Sequence, residues 1–179
     1  MSDAPKPDDP GRYAYLAEGN ATQARKRVSA DALIRNEHGL LLLVYPTYKD
    51  GWDLPGGMSE ENEEPIDTVR RELGEELGLV DVRIHALLCL DWVKPHGPWD
   101  DLLAFVWDGG EVSPSQVEQM APKDAELSEF GFFKPEEALR LLPPRQSVRA
   151  DQALQALNDG VFRYLRNGVP ALPTLGPRE

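Results

Sequence analysis

Residues 65–78 read Pro-Ile-Asp-Thr-Val-Arg-Arg-Glu-Leu-Gly-Glu-Glu-Leu-Gly and constrain the fold more than any other stretch of the chain. Ile66, Val69, Leu73 and Leu77 recur at the interval of one apolar stripe, so the spacing predicts a helix that buries a single face. Pro65 suits its start, having no amide hydrogen to leave unpaired, and Gly78 suits its end because a left-handed cap costs glycine little. At about 100° of rotation per residue, Glu72, Glu75 and Glu76 fall on one flank of that stripe. Like charges at this spacing each cost a few tenths of a kcal/mol, roughly, and only Arg71, four residues before Glu75, offers local compensation. A hard divalent cation removes the conflict. Mg²⁺ keeps several waters and bridges one or two carboxylates to substrate phosphates, which suits an open acidic helix face. The preceding Leu54-Pro55-Gly56-Gly57 is a sharp turn whose exposed backbone carbonyl can complete the coordination. A merely solvated acidic face is the plain alternative; the regular spacing of the whole segment argues against it.

That spacing is Gly57, five residues, Glu63, seven residues, then Arg71-Glu72-Leu73-Gly74-Glu75-Glu76-Leu77-Gly78-Leu79. It resembles the signature box of the Nudix hydrolase family at every fixed position. The similarity extends upstream through residues 29–44 and the Trp52-Asp53-Leu54-Pro55 approach, and downstream to residues 126–138. The resemblance implies an α/β/α sandwich with a mixed central sheet. It also implies Mg²⁺-dependent hydrolysis, with Mn²⁺ as a substitute, of a diphosphate linkage in a nucleoside diphosphate derivative, by attack of water on phosphorus. Metal ligands are then expected from Glu75 and Glu76, the Gly57 carbonyl, and Glu72, which serves either as a further ligand or as the base. Arg71 is expected to orient the carboxylates, Glu63 to fix the loop or Arg71 itself, and Gly56 to support the turn. In many relatives a glutamate outside the box acts as base, and Glu126 and Glu129 lie in the right stretch for that role.

Composition agrees with one domain of this kind. The chain has 179 residues, 41% of them hydrophobic, enough for one substantial core. Its net charge is −12, and residues 57–81 alone carry nine acidic and two basic residues. Such a balance provides no clustered Lys and Arg to hold a long phosphate backbone. A small phosphorylated substrate arriving with its metal is the expected partner, a nucleic acid duplex is not, and a homodimer is left open. Cys89 is the only cysteine and reads as an inert strand residue. Neither a secretory leader nor an apolar run near the ~20 residues of a membrane span is visible, so a cytoplasmic protein is expected.

Along the chain, residues 1–26 read as a polar leader partly docked around Tyr13 to Leu16, residues 27–166 as the Nudix domain and residues 167–179 as a Pro/Gly-rich tail. Residues 28–34 and 40–45 predict a hairpin, with His38 facing solvent in its turn. Trp52 is expected to pack beside the helix of residues 65–78. Residues 82–93 and 102–107 predict two strands, with Asp108-Gly109-Gly110 ending the second; in their connector, His96 and Trp99 offer a donor and a stacking plane for substrate, against the plain reading of an exposed loop. Residues 112–124 read as a Pro-interrupted loop or helical turn, 130–133 as a strand and 135–142 as a short helix. A last amphipathic helix is predicted over 148–165, with Leu154, Leu157, Val161 and Leu165 inward.

Substrate identity is less constrained. Pro95 lies 16 residues beyond Leu79, close to a proline that marks ADP-ribose pyrophosphatase relatives. The motifs of NADH-hydrolysing and coenzyme A-hydrolysing members are not seen. ADP-ribose or another nucleotide sugar therefore ranks first, a nucleoside triphosphate second, and a dinucleoside polyphosphate third. A non-catalytic nucleotide-ligand sensor is the alternative from another class; such domains usually lose box carboxylates, and this chain keeps them.

Overall fold

Apolar residues at 28–34 and 40–45 form the expected hairpin, turned at Gly39 with φ +70°. In the computed structural model, which describes residues 9–123 and 125–171, the chain runs α1 (Arg12–Ala21), β1 (Arg27–Asn36), β2 (Leu41–Pro46), β3 (Gly56–Met58), α2 (Pro65–Leu77), β4 (Ala86–Val93), β5 (Leu102–Val112), α3 (Pro114–Gln119), β6 (Leu127–Phe133), α4 (Pro135–Leu141), α5 (Pro144–Asp159), β7 (Arg163–Arg166) and β8 (Val169–Pro170). One mixed sheet takes all the described strands in the order β6-β2-β1-β5-β4-β7-β8, with β3 added to β1. The β1–β5 and β4–β7 pairs are parallel and the others antiparallel.

Each face of this sheet is covered by helix. On one side α2 buries Val69, Leu73 and Leu77 completely, against Ala30, Ala32, Ile34 and Leu42. Each such side chain contributes roughly 1.5–3 kcal/mol, far more than the few tenths lost to each crowded carboxylate pair. The acidic helix therefore forms despite its charge. Gly78, at φ +74°, ends it by donating its N–H to Gly74 O. On the other side α4 and α5 pack over Leu33, Leu41, Leu43 and Leu54. This is the expected α/β sandwich. No described helix is long and apolar enough to cross a membrane.

Several expectations are corrected. The last helix spans Pro144–Asp159 rather than 148–165, because Gly160, at φ +71°, caps it. Its buried face is Ala150, Ala153 and Ala156, with Leu154 and Leu157 on the flank; Leu165 is buried in β7 instead, and Val161 lies between the two elements. Small residues let the helix axis approach the sheet closely, which apolar periodicity alone does not distinguish. Strand β5 continues through Asp108, Gly109 and Gly110 to Val112, because the long β1 is there to pair with it as far as Asn36. Trp52 packs edge-on against Tyr45 and Phe133 on the α4–α5 side, not beside α2. Residues 12–21 form a helix with no buried residue, and Tyr13 and Leu16 are exposed rather than docked. Of the tail, 169–170 pair as β8, and residues 172–179 lie outside the described residues, as do residues 1–8 and Asp124.

The alanine face of α5 is closed to solvent, with Ala150 and Ala153 fully buried against the sheet. Ala153→Leu is expected to destabilise the fold by about 1–3 kcal/mol through overpacking. Urea unfolding checks this, and an unshifted midpoint would mean that the face has been misassigned.

Candidate active site

Strand β1 is longer than either partner on its outer edge. It meets β2 at Arg35↔Leu41, and β3 takes up the other end at Ser29↔Met58, Ala30↔Gly57 and Asp31↔Gly56. Between them Ala32 N–H donates to Pro55 O at 2.9 Å. The turn ahead of α2 is thereby sewn into the sheet. Gly56, at φ +136°, lies so close to β1 that a Cβ there would sit 2.3 Å from Ala30 O and 2.7 Å from Asp31 Cα. At Gly57 a Cβ would sit 2.3 Å from Glu72 Oε1. Only two glycines allow this backbone to lie between a strand and a carboxylate.

Arg71 organises the acidic flank. Its guanidinium donates to both carboxylate oxygens of Glu63 at 3.0 Å, to Glu72 Oε1 at 3.0 Å, to Glu75 Oε2 at 3.0 Å and to Met58 O at 3.1 Å. Glu76 turns the other way and accepts from Gly56 N–H at 3.1 Å. Glu72 and Glu75 are thus drawn together on one Arg71 nitrogen, as the helix spacing suggests, and Glu76 alone is turned away from them. The Arg71 hydrogen bonds hold the Glu63 carboxyl down at about 2, and Glu63 also accepts from Thr68 Oγ1 and Glu60 N–H. Glu72 is shifted the opposite way. Burial raises it, and the charges of Glu75 and Glu126 add to the rise against Arg71. Glu126 therefore lies within electrostatic reach of Glu72; Glu129 stands on β6 opposite Tyr45, and both glutamates are exposed.

A cavity of about 380 Å³ lies beside Gly57, lined by Asp31 of β1, Tyr48 and Lys49 of the following loop, His96, and Gln146 at the start of α5. Burial raises the Asp31 carboxyl to about 7, opposed by Arg149. Arg149 is itself buried, donating to Asp91 Oδ2 at 3.1 Å and standing 3.7 Å from Asp31 Oδ2. Lys49 pairs with Asp53. Thr47 ties the loop carrying Tyr48 and Lys49 to the segment bearing Glu126: its N–H donates to Glu126 O and its hydroxyl to Ala125 O, both at 2.7 Å.

Of the residues singled out in the sequence, Gly56, Gly57, Glu63, Arg71, Glu72, Glu75 and Glu76 come together at one edge of the sheet, with Glu126 near them. His96 lines the cavity. Trp99 does not: it is 54% exposed, and the Arg27 guanidinium lies 4.5 Å from its ring centroid. Cys89 is buried and raised by burial to about 12, which leaves it inert as a nucleophile. Sequence reasoning missed Asp31, Tyr48, Lys49, Gln146 and Arg149. A signal existed for two of them, since Asp31 interrupts an apolar strand and Arg149 precedes the buried alanines of α5.

Among the described residues no three His, Cys, Asp or Glu side chains are grouped closely enough to hold an ion unaided. The donor set is all oxygen, burial disfavours the charge on Glu72, and Gly57 puts no side chain against that carboxylate. Those features fit a hard cation that keeps waters and shares its shell with a phosphate.

Comparison with known proteins agrees. The chain is 32% identical over 69 residues to an RNA pyrophosphohydrolase of Psychrobacter sp. (strain PRwf-1), a match covering 38% of this chain and 40% of that protein. It spans about two fifths of the length of the curated relatives it matches. Among solved structures, a MutT protein from Methanosarcina mazei Go1 superposes with a TM-score of 0.61 at 25% identity, covering 77% of this chain and 99% of that one. The NUDIX domain of Shewanella oneidensis NrtR, complexed with ADP ribose, superposes with a TM-score of 0.64 at 22% identity, covering 81% and 97%. The family model described as NUDIX domain matches residues 25–157, most of the chain and all of the site's acidic edge, and the chain belongs to that family.

Proposed function

We propose that this protein hydrolyses a diphosphate linkage in a nucleoside diphosphate derivative, with ADP-ribose or another nucleotide sugar as the favoured class. The observation that carries the reading is the juxtaposition of an acidic, Arg71-organised helix edge with a cavity large enough for the group esterified to the diphosphate. Support for the substrate class comes from the ADP ribose complex of a related domain and from a likeness to an ADP-ribose pyrophosphatase from Streptococcus suis 89-1591 (23% identity, TM-score 0.56, covering 79% of this chain and 99% of that one). The curated RNA pyrophosphohydrolase relatives favour a second reading, removal of pyrophosphate from a triphosphate. The net charge of −12 weighs against a long RNA partner.

In this reading Glu72, Glu75, Glu76 and the Gly57 carbonyl hold Mg²⁺, for which Mn²⁺ substitutes. When bound, such an ion neutralises charge on the phosphoryl oxygens and lowers the pKa of an attacking water. Arg71 aims the carboxylates, and Glu63 and Met58 O fix Arg71. Glu126 is the general base, favoured over Glu129 because its charge already acts on Glu72 while Glu129 stands on β6. Thr47 is a positioning residue for Glu126, acting through two carbonyls.

Three expectations test this. Incubated with Mg²⁺ and a panel of nucleotide sugars, triphosphates and dinucleoside polyphosphates, the protein releases nucleoside monophosphate most rapidly from nucleotide sugars, and Glu76→Gln lowers kcat by about 10²-fold or more with an unchanged circular dichroism spectrum; wild-type-like turnover in that variant refutes the ligand set. Thr47→Val lowers kcat by about 10-fold with KM nearly constant, since small misplacement of a catalytic group is costly, and Thr47→Ser restores it; equal losses in kcat and KM with no rescue mean that Thr47 only shapes the loop. Because the Glu63 carboxyl is held near 2, below its ordinary value of 4.5, its contribution to stability is present above about pH 4.5 and fades as pH falls towards 2. Denaturant titrations of Glu63→Gln and wild type across that window should therefore converge as pH drops, and a constant gap contradicts the pairing.

A further inference from the structure

The Gln146 carboxamide oxygen is buried and has no hydrogen-bond partner. Gln146 lines the cavity beside Gly57, one residue beyond Arg145 in the first turn of α5. A buried acceptor left unpaired is unfavourable unless something donates to it, and nothing among the described residues does. We propose that Gln146 is the specificity-determining residue of this site, and that its amide reads the edge of a nucleobase. The proposal rests on the hydrolase reading above for what is attached to the base.

Three features choose a base over a sugar. Val93, Leu102 and Pro143 make apolar stretches of the cavity wall. The polar groups of the cavity, Asp31, Lys49 and His96 among them, stand apart from those apolar stretches in the lining, and a flat base can cover such a stretch with its face while only its edge needs polar partners. Tyr48 adds an exposed aromatic ring at the rim, able to stack on a flat group. A carboxamide presents an acceptor and a donor side by side, the pattern that matches two adjacent atoms of a base edge, as in glutamine contacts with adenine. Rotation of the amide brings either atom to the cavity, so the choice among bases belongs to the complete wall and Gln146 supplies the contact that enforces it.

The test uses ADP-, GDP-, UDP- and CDP-glucose, which differ only in the base. Wild type is expected to rank them over at least about a 10-fold range in kcat/KM, Gln146→Leu to compress that range to about 3-fold by losing most on the best substrate, and Gln146→Glu, of equal size but without the donor, to reorder it. A ranking that survives in both variants overturns the proposal, as does equal loss on all four substrates. Calorimetric binding of the four free nucleoside diphosphates separates the two readings. Binding ranked by base and flattened by Gln146→Leu, without hydrolysis of any substrate, sinks the hydrolase reading and leaves the base site standing. Hydrolysis with no preference among bases sinks the base site and leaves the hydrolase. Neither binding nor hydrolysis removes both.

Discussion

The site depends on the absence of two side chains. Gly56 and Gly57 let the backbone of β3 pass between the carbonyl of Ala30 and the carboxylate of Glu72, where a Cβ at either position would come within 2.3 Å of one of them. The proposed metal-binding edge takes its position from that passage. Glu76 reaches Gly56 N–H, Arg71 reaches Met58 O, and α2 lies against the sheet at the depth that buries Val69, Leu73 and Leu77. The hydrophobic stripe sets where the helix sits; the glycines decide that its acidic flank meets a backbone and not a wall of side chains.

Charge is then distributed by a single cation of the protein. Arg71 spends its donors on Glu63, Glu72, Glu75 and Met58 O, so it can neutralise only a fraction of the acid around it. The consequence is visible in the opposite shifts of two carboxyls it touches. Glu63, which it grips with two parallel hydrogen bonds, is held strongly ionised. Glu72, with one bond, burial and other carboxylates nearby, is raised. A hard cation beside Glu72 would offset the cost of keeping that carboxyl charged, which accords with the metal role proposed for it.

Much of the acidic edge was legible in the sequence because it lies within one helix and the turn before it, where residue spacing translates directly into geometry. The hairpin of β1 and β2, helix α2 and the strand before α4 were legible for the same reason. Other features arise between distant segments. Strand β5 outran its predicted end because β1 offered it a longer partner, and α5 turned its alanines inward because the sheet beneath it demanded close approach. Periodicity names a face; it does not say whether large or small residues of that face will touch. Trp99 illustrates the limit for loops, since its ring is taken by Arg27, 72 residues away, and only His96 of that connector reaches the cavity.

The same distinction separates the two halves of function. Chemistry at phosphorus needs a fixed set of carboxylates at close range, and a helix encodes such a set in a few consecutive positions. The cavity proposed to recognise what the phosphorus carries is assembled from β1, the loop bearing Tyr48, the connector bearing His96 and the start of α5. Those segments are bound to one another by buried ionic and polar ties that no short motif contains: Arg149 joins α5 to Asp91 of β4 and faces Asp31 of β1, and Asp91 accepts in turn from Gly168 N–H. A buried charge of this kind contributes little net stability but is costly to break, since a partner would be left unpaired. It holds the β1 and α5 parts of the cavity lining in one arrangement. In the proposed reading, a change of substrate would then fall on cavity residues outside these ties, Gln146 and Tyr48 among them, while the Arg149 ties and the acidic edge stay as they are.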